Sequence, residues 1–299
     1  MKYIVTHSSP DMDALTSCWL IKKFLPGWED AKLMFVAAGE RVLPLPKGQS
    51  FEYAVEKKGE DEYIHVDTGL GPLDHHQTSD IKVCAASLTL DYVISEMDKA
   101  APKMHSDKLE ALKRMIGVVV EDDHFREVFW GDPIADYHMF NLIDILEGLK
   151  YKNPNQDEYY AGFVFEALDA IRHTFENRIW AEQEIKEKGI EFETRFGKGI
   201  AFSGINDSVV KLSQKMGYVI AVRKDPRKGY VRIKARPSSG KKDDVDLTLV
   251  YEKLKKMDPN ATWFLHVSKK MLLNGTTKNP KMKPTKLPLS DIIEVVKGV

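Results

Sequence analysis

Thr6-His7-Ser8-Ser9-Pro10-Asp11-Met12-Asp13-Ala14 is the stretch on which the fold turns. A short apolar run, Tyr3 to Val5, precedes it with the look of a strand, and Leu15 to Phe24 follows with helical apolar spacing. One His and two Asp therefore fall on a turn between the carboxyl end of a strand and a helix N-terminus. Open α/β sheets hold ligands at that place. Asp11 and Asp13, one residue apart, can converge on one point. Oxygen clusters of this kind suit hard divalent cations, and a His adds a donor suited to Mn, Fe or Zn. A helix N-cap explains one Asp; it does not explain His7, Asp11 and Asp13 together.

The chain has 299 residues, room for one large or two modest domains. Hydrophobic content of 43% is enough for real cores, and charged content of 30% describes a soluble surface. The net charge of −1 hides an asymmetry: from Glu191 onward there are 23 Lys and Arg against 11 Asp and Glu, and before it 21 against 34. A basic second region of this kind faces an anion, or is a set of solvated lysines. Cys18 and Cys84 lie far apart in apolar contexts and read as buried thiols in a reducing compartment, with no zinc-type spacing. No apolar run approaches a membrane span, and the first strand begins too early to leave room for a signal peptide. The expectation is a cytoplasmic protein.

Along the chain, Lys32 to Ala37 is strand-like, and Pro44, Pro46 and Gly48 mark a loop. Tyr63 to Val66 is a strand ending in Asp67-Thr68-Gly69, with Asp74-His75-His76-Gln77 close behind. Helical patterns cover Ala85 to Met97, Lys108 to Val120, Ala135 to Leu149 and Tyr160 to Lys188. The third of the acidic groups, Glu121-Asp122-Asp123-His124, follows the second of these helices. Alternating strands and helices predict an α/β fold whose N-terminal domain is a mostly parallel, doubly wound sheet. The long charged helix reads as a connector to a smaller mixed α/β C-terminal domain. Its pattern is β-α-β-β-α-β, with a hairpin at Lys224 to Gly229 and a loop at Leu272 to Gly275. The predicted boundaries are residues 1–158, 159–190 and 191–299.

His7, Asp11, Asp13, Asp67, Asp74, His75, His76 and Asp123 all fall at strand ends or helix edges on one side of one sheet. Each alone has a dull explanation, as a cap, a turn residue or a surface acid; jointly those explanations fail. On these four motifs, and in this order, the chain resembles the DHH phosphoesterase superfamily, and its second half is similar to the smaller C-terminal domain of many members. The resemblance implies two divalent cations, usually Mn²⁺. His7, Asp11 and Asp67 would hold one; Asp13, Asp67, His75 and Asp123 would hold the other, with Asp67 bridging. His76 would stand by the substrate phosphate and Asp74 would orient a His. Asp122 is the rival of Asp123, and His124 reads as structural. Two cations sharing a water lower its pKa and neutralise charge on the phosphoryl oxygens.

For the substrate, the second domain offers Arg236, before Pro237-Ser238-Ser239-Gly240-Lys241, then His266 and Ser268, and the loop residues Asn274 and Gly275. Arg suits bidentate phosphate contact and a Gly-bearing loop lets backbone N–H groups approach an anion. Arg236 could instead pair with Asp243 or Asp244. The Gly-Gly-Gly-His loop of many family members is missing, which leaves the substrate open. Trp130, Tyr137 and Phe140 could stack a base, though helix-spaced aromatics belong more often to a core. The function expected is metal-dependent hydrolysis of phosphodiesters in short RNA, DNA or small nucleotides, the two domains facing each other across a cleft. Competing expectations are a pyrophosphatase or similar small-phosphate hydrolase, and a catalytically silent metal-containing binding protein. A homodimer is compatible with each.

Overall fold

The computed structural model describes residues 1–43, 53–100, 104–237, 244–276 and 279–298. The Pro44, Pro46 and Gly48 loop, Ser238 to Lys241, and Asp243 lie outside these. The chain forms two compact units, Met1–Glu176 and Asn177–Val299.

In the first unit β1 (Lys2–His7) sits inside a four-stranded sheet with β2 (Lys32–Val36), β3 (Val55–Lys58) and β4 (Asp61–His65) in the order β2-β1-β4-β3. β1 is parallel to both neighbours, Ile4 opposite Leu33 on one side and Ile64 on the other. β3 is antiparallel to β4. The sheet is thus mostly parallel, and its two central strands deliver His7 and Asp67 side by side. β3 has no counterpart in the sequence pattern, since Val55-Glu56-Lys57-Lys58 neither alternates nor runs apolar.

Helix α1 (Met12–Phe24) is buried continuously from Met12 to Ile21. That is the property of a helix enclosed by sheet and helices, not of an amphipathic surface helix. It packs with α2 (Ala85–Ala100), α3 (Ser106–Asp123), α4 (Leu142–Lys152) and the first part of α5 (Asp157–Lys188). Trp19 is fully enclosed, and its indole N–H donates to Asp169 at 3.2 Å, so the ring is buried without stranding its polar atom. The helices reach the sheet on the face of Ile4, Leu33 and Ile64. Among the described residues the other face carries stacked Tyr3 and Tyr63 and the buried His65, paired with Glu56 and Arg41, rather than helices. The expectation of helices on both faces of this sheet is corrected accordingly: among the described residues the helices pack on the Ile4 face, and the second face carries Tyr3, the buried Val5 and Tyr63, and the His65 pairing.

The second unit is a six-stranded sheet of β5 (Ile190–Thr194), β6 (Gly197–Ser203), β7 (Ile220–Lys224), β8 (Val231–Ala235), β9 (Trp263–Leu265) and β10 (Met271–Asn274) in the order β5-β6-β7-β8-β10-β9. Only β6 and β7 run parallel, joined through α6 (Ser208–Lys215). Here both faces are covered. Ala201, Val222 and Ile233 meet α7 (Thr248–Met257) and α8 (Leu289–Lys297), while Ile200, Phe202 and Ala221 meet α6 and the end of α5.

The Lys224–Gly229 hairpin is present between β7 and β8. Leu272 to Asn274, expected as loop, is strand β10. The single helix expected over Ala135 to Leu149 is a 3-10 turn, Asp136–Phe140, then α4, because Asn141 breaks off to N-cap α4 by accepting from the Asp144 N–H at 3.0 Å. Among the described residues no helix is long and apolar enough to cross a membrane.

Candidate metal centre

Asp11 is the N-cap of α1, its Oδ1 accepting from the Ala14 N–H at 2.9 Å, which aims Oδ2 away from the helix. His7, at the end of β1, places Nδ1 3.0 Å from its neighbour's carbonyl at Ser8. Only a donor pairs with a carbonyl, so the proton sits on Nδ1 and Nε2 is turned inward with its lone pair available in the neutral ring. Nε2 lies 3.2 Å from Asp67 Oδ2 and 3.6 Å from Asp11 Oδ2. Asp67 follows β4 with φ of 51°, and its N–H is held by Leu73 O at 3.0 Å. A non-glycine residue in the left-handed region costs energy that a built site repays.

On the other side of Asp67, His75 Nε2 stands 3.5 Å from Asp67 Oδ1, 3.6 Å from Asp123 Oδ2 and 3.7 Å from Asp13 Oδ2. Asp13 is buried and carries a second load: its two oxygens accept from Ala85 and Ala86 N–H, each at 2.7 Å, capping α2. Asp123 is the last residue of α3, and Phe125, at φ 52°, turns the chain away just after it. Asp122 points elsewhere and lines a neighbouring cavity, so the structure brings Asp123 rather than Asp122 to His75.

Asp74 is buried and holds the loop together: Oδ2 accepts from Leu70 N–H at 2.7 Å, and Oδ1 from the His76 N–H at 3.1 Å and its Nδ1 at 2.7 Å. It therefore orients His76, whose ring is exposed at the mouth of a cavity of about 380 Å³ that His7, Asp11, Asp67 and Asp123 also line. His124 Nε2 is 2.9 Å from Val83 O, in keeping with a structural role. Sequence reasoning missed Arg41 and Glu56. Arg41 Nη1 donates to Gly69 O at 2.8 Å, and Glu56 pairs with both Arg41 and His65. A Cβ at Gly69, whose φ is 75°, would meet Arg41 Cγ at 2.3 Å. This packing steadies the turn that carries Asp67, and its partners are too far apart in sequence to be seen in a motif.

Do these residues fit cations? Two atoms bound to one cation at about 2.0–2.2 Å stand roughly 3–3.6 Å apart, close to the separations around His7 and His75. Asp67 Oδ1 and Asp123 Oδ2 are buried without a hydrogen-bond partner, a costly state unless something else meets them. Helix α3 also ends in Glu121, Asp122 and Asp123 with no basic residue in its last turn, the arrangement a helix dipole disfavours. Three groups of donor atoms lie close enough to share an ion: His7, Asp11 and Asp67; Asp67, His75 and His76; His75, Asp123 and His124. The donor set fits. Without an ion the cluster holds protons instead. Burial alone lowers the His7 pKa, but its contacts with Asp11, Asp67 and the Ser8 carbonyl outweigh that and raise it to about 10. His75 is raised to about 9, first by its hydrogen bond to Asp67, against burial. Asp13 is raised to about 8 by burial and then by the charge of Asp67.

In the second unit Arg236 follows β8, and His266 and Ser268 form the turn between β9 and β10, with His266 Nδ1 2.8 Å from Ser268 Oγ. Since Met271 pairs with Lys234 and Ala235 N–H donates to Lys270 O, these three residues share one end of the sheet. Asn274 and Gly275 lie at the other end of β10 and are corrected. Asn274 is fully buried, donating to Thr262 O and Lys283 O and accepting from the Thr285 N–H, so both its donors are used inside the fold and its oxygen is out of a ligand's reach. Gly275 is glycine for packing: φ is 79°, and a Cβ would meet Tyr230 Cδ1 at 2.1 Å. Asn274→Ala should cost the fold about 2–4 kcal/mol, because the buried Thr285 N–H and the part-buried carbonyls of Thr262 and Lys283 all lose their bonds. Denaturant unfolding checks this, and an unchanged midpoint would return Asn274 to the candidates for binding.

Fold and site define a two-unit α/β protein with a carboxylate–imidazole cluster at the strand ends of its first sheet. No protein-family model matches the chain, and no curated protein does. Among solved structures the likeness is distant. One such structure is a DHH-domain protein described as belonging to a family of ribosomal proteins, at 8% identity and a TM-score of 0.34 over 99% of this chain and 85% of that one. Another is a pGpG-specific phosphodiesterase from Vibrio cholerae, at 14% identity and a TM-score of 0.26 over 98% of each chain. Likeness at that level decides nothing about activity, which has to be read from the chain's own residues.

Proposed function

We propose that the protein is a divalent-metal-dependent phosphodiesterase acting on short oligonucleotides or small nucleotides. The observation that carries this is the position of Asp67 between two donor sets, His7 with Asp11 and His75 with Asp123, at the separations two ligands of one ion would have, its Oδ1 and the Asp123 Oδ2 buried with imidazole nitrogens no nearer than 3.5 Å. His7, Asp11 and Asp67 would hold one cation, and Asp13, Asp67, His75 and Asp123 the other, Mn²⁺ suiting a mixed imidazole and carboxylate set. When bound, such a pair supplies an activated water and neutralises charge on phosphorus oxygens.

The chain's own residues do the rest. Asp74 fixes the Nδ1 proton of His76, so Nε2 faces the cavity, where the ring holds or donates a proton toward the phosphate or the leaving oxygen. The buried Asp67 turn and the Asp13 cap on α2 keep the ligands in place before substrate arrives, which is what preorganised electrostatic catalysis requires. Arg236, His266 and Ser268 serve as the anion-binding end of the second unit.

The test is hydrolysis by purified protein with added Mn²⁺, offered bis(p-nitrophenyl) phosphate, short RNA and DNA oligonucleotides, a cyclic dinucleotide and pyrophosphate, beside a metal analysis. Mn²⁺-dependent loss of a diester supports the proposal. Turnover of pyrophosphate alone would replace it with the small-phosphate hydrolase, and bound metal with no turnover with the silent binding protein.

A further inference from the structure

Next to the metal centre lies a larger cavity, of about 640 Å³, formed by the segment that follows Asp123. Volumes of this order hold small ligands. Its walls include Trp130, Phe125, Ile134 and Met139, with carboxylates at Asp122 and Glu127. The aromatic residues here are not core. Phe140 and Ile134 are more than nine-tenths exposed, and Phe125, Phe129 and Tyr137 are all largely exposed. The helical spacing that suggested a core is broken into 3-10 turns, Arg126–Phe129 and Asp136–Phe140, which leave these rings in solvent.

The polar groups of the cavity are uneven in their needs. Asp144 accepts from the Asn141 amide, and Glu147 pairs with Lys150. Glu127 Oε2 is buried with no partner, and the Asp122 carboxylate has no hydrogen bond or ion pair among the described residues. An occupant must therefore be flat and apolar on its faces, carry N–H donors on its edge, and bring no negative charge of its own into the cavity. A second copy of the chain docking through apolar side chains would leave Asp122 and Glu127 buried and unpaired, at a cost. A nucleobase meets all three conditions, stacking on aromatic rings while its edge is read by polar groups. Consecutive residues divide the work: Asp123 faces the metal centre and Asp122 this cavity, with Cα atoms about 3.8 Å apart.

We propose that this cavity is a base-binding subsite, and that the Glu127 carboxylate selects guanine, whose N1–H and N2–H₂ offer adjacent donors on one edge. The inference rests on the phosphodiesterase proposal for its setting, but it has a test of its own. Adenine and uracil present an acceptor where guanine presents one of these donors, so a carboxylate there repels them.

The experiment compares GpG, ApA and UpU as substrates with Mn²⁺ for the wild type, Glu127→Gln and Trp130→Ala, and measures guanosine binding to each by equilibrium dialysis. For the wild type, KM for GpG should be at least tenfold below that for ApA and UpU. Glu127→Gln should erase most of the preference for guanine over adenine, and Trp130→Ala should raise KM for both purines roughly tenfold, the scale of one lost stacking partner. Equal KM values for the three wild-type reactions, or a preference untouched in both variants, would overturn the assignment. A change of oligomeric state in Trp130→Ala, seen by sedimentation with base preference intact, would overturn it in favour of self-association. If no diester is turned over at all, the phosphodiesterase proposal fails. Guanosine binding that is lost in Glu127→Gln would then still uphold the subsite, and its absence in the wild type would end it.

Discussion

Asp67→Asn should abolish Mn²⁺-dependent turnover, by a factor on the order of 10³ or more, the scale of losing a group that stabilises transition-state charge. It should also reduce bound metal. Asn is the right replacement. Residue 67 has φ of 51°, and Asn is among the few residues that tolerate the left-handed region, whereas Ala would add backbone strain to a loss of charge. Among the described residues the Asp67 carboxylate is the only one that touches both His7 and His75, so its removal affects both donor sets at once. The metal-free protein should lose stability as well. The charge of Asp67 raises the pKa of Asp13, but Asp67 is also the carboxylate beside His7 and His75 that helps raise both of theirs. With two imidazolium partners lost against one carboxylate relieved, the metal-free Asn variant should melt below the wild type near neutral pH. With metal at about 100 times its Kd, the wild type should gain roughly 2.7 kcal/mol, about 5–10 °C in a unit of this size, and the variant much less. Metal analysis, thermal melts with and without Mn²⁺, and diester hydrolysis check the three parts. Full turnover in the variant would remove Asp67 from the centre of the mechanism.

The parts of this site legible in the sequence are those set by local order. His7, Asp11 and Asp67 follow strands whose apolar runs are plain, and a parallel pairing of those strands suffices to bring the three together. Asp123 was legible as a motif, although α3 runs three residues beyond the periodic pattern so that the ligand candidate sits on the helix rather than after it. What was not legible depends on partners distant in the chain. Asp13 reads as a ligand, and nothing local shows that its oxygens also cap α2, whose N–H groups lie more than seventy residues on. Arg41 and Glu56 lie in a stretch with no periodicity, so neither β3 nor the support they give to Gly69 could be foreseen. Asn274 looks like a loop residue until β10 pairs with β8 and β9, after which Thr262, Lys283 and Thr285 occupy it. Trp130 and Phe140 illustrate the opposite failure: helical spacing is real in the sequence, but Asp132-Pro133 and Asn141 stop the helix that would have buried them.

Metal affinity and metal-free stability should respond to pH in opposite directions. In the metal-free protein His7 and His75 are imidazolium at neutral pH, their pKa values raised to about 10 and about 9, and a cation can bind only the neutral ring. The set of His7, Asp11 and Asp67 gives up one proton and the set of Asp13, Asp67, His75 and Asp123 gives up two, from His75 and Asp13. Apparent affinity should therefore rise roughly tenfold per pH unit between pH 6 and 8 for the first cation and more steeply, toward about a hundredfold, for the second. Without metal the sign reverses. A group whose pKa is higher folded than unfolded stabilises the fold fully below the unfolded value, here near 6.5 for His, and the stabilisation is lost as pH rises through the folded value. Asp13, raised to about 8, acts in the same sense, because its protonated form is the one the fold prefers. Metal-free protein should therefore melt progressively lower from pH 6.5 to 10, while the gain on adding Mn²⁺ grows over the lower part of that range. Melts at fixed free Mn²⁺ across pH 6 to 8 separate the two trends. A metal-induced gain that stays flat with pH would mean that cations do not compete with protons at His7 and His75, and that neither imidazole is a ligand.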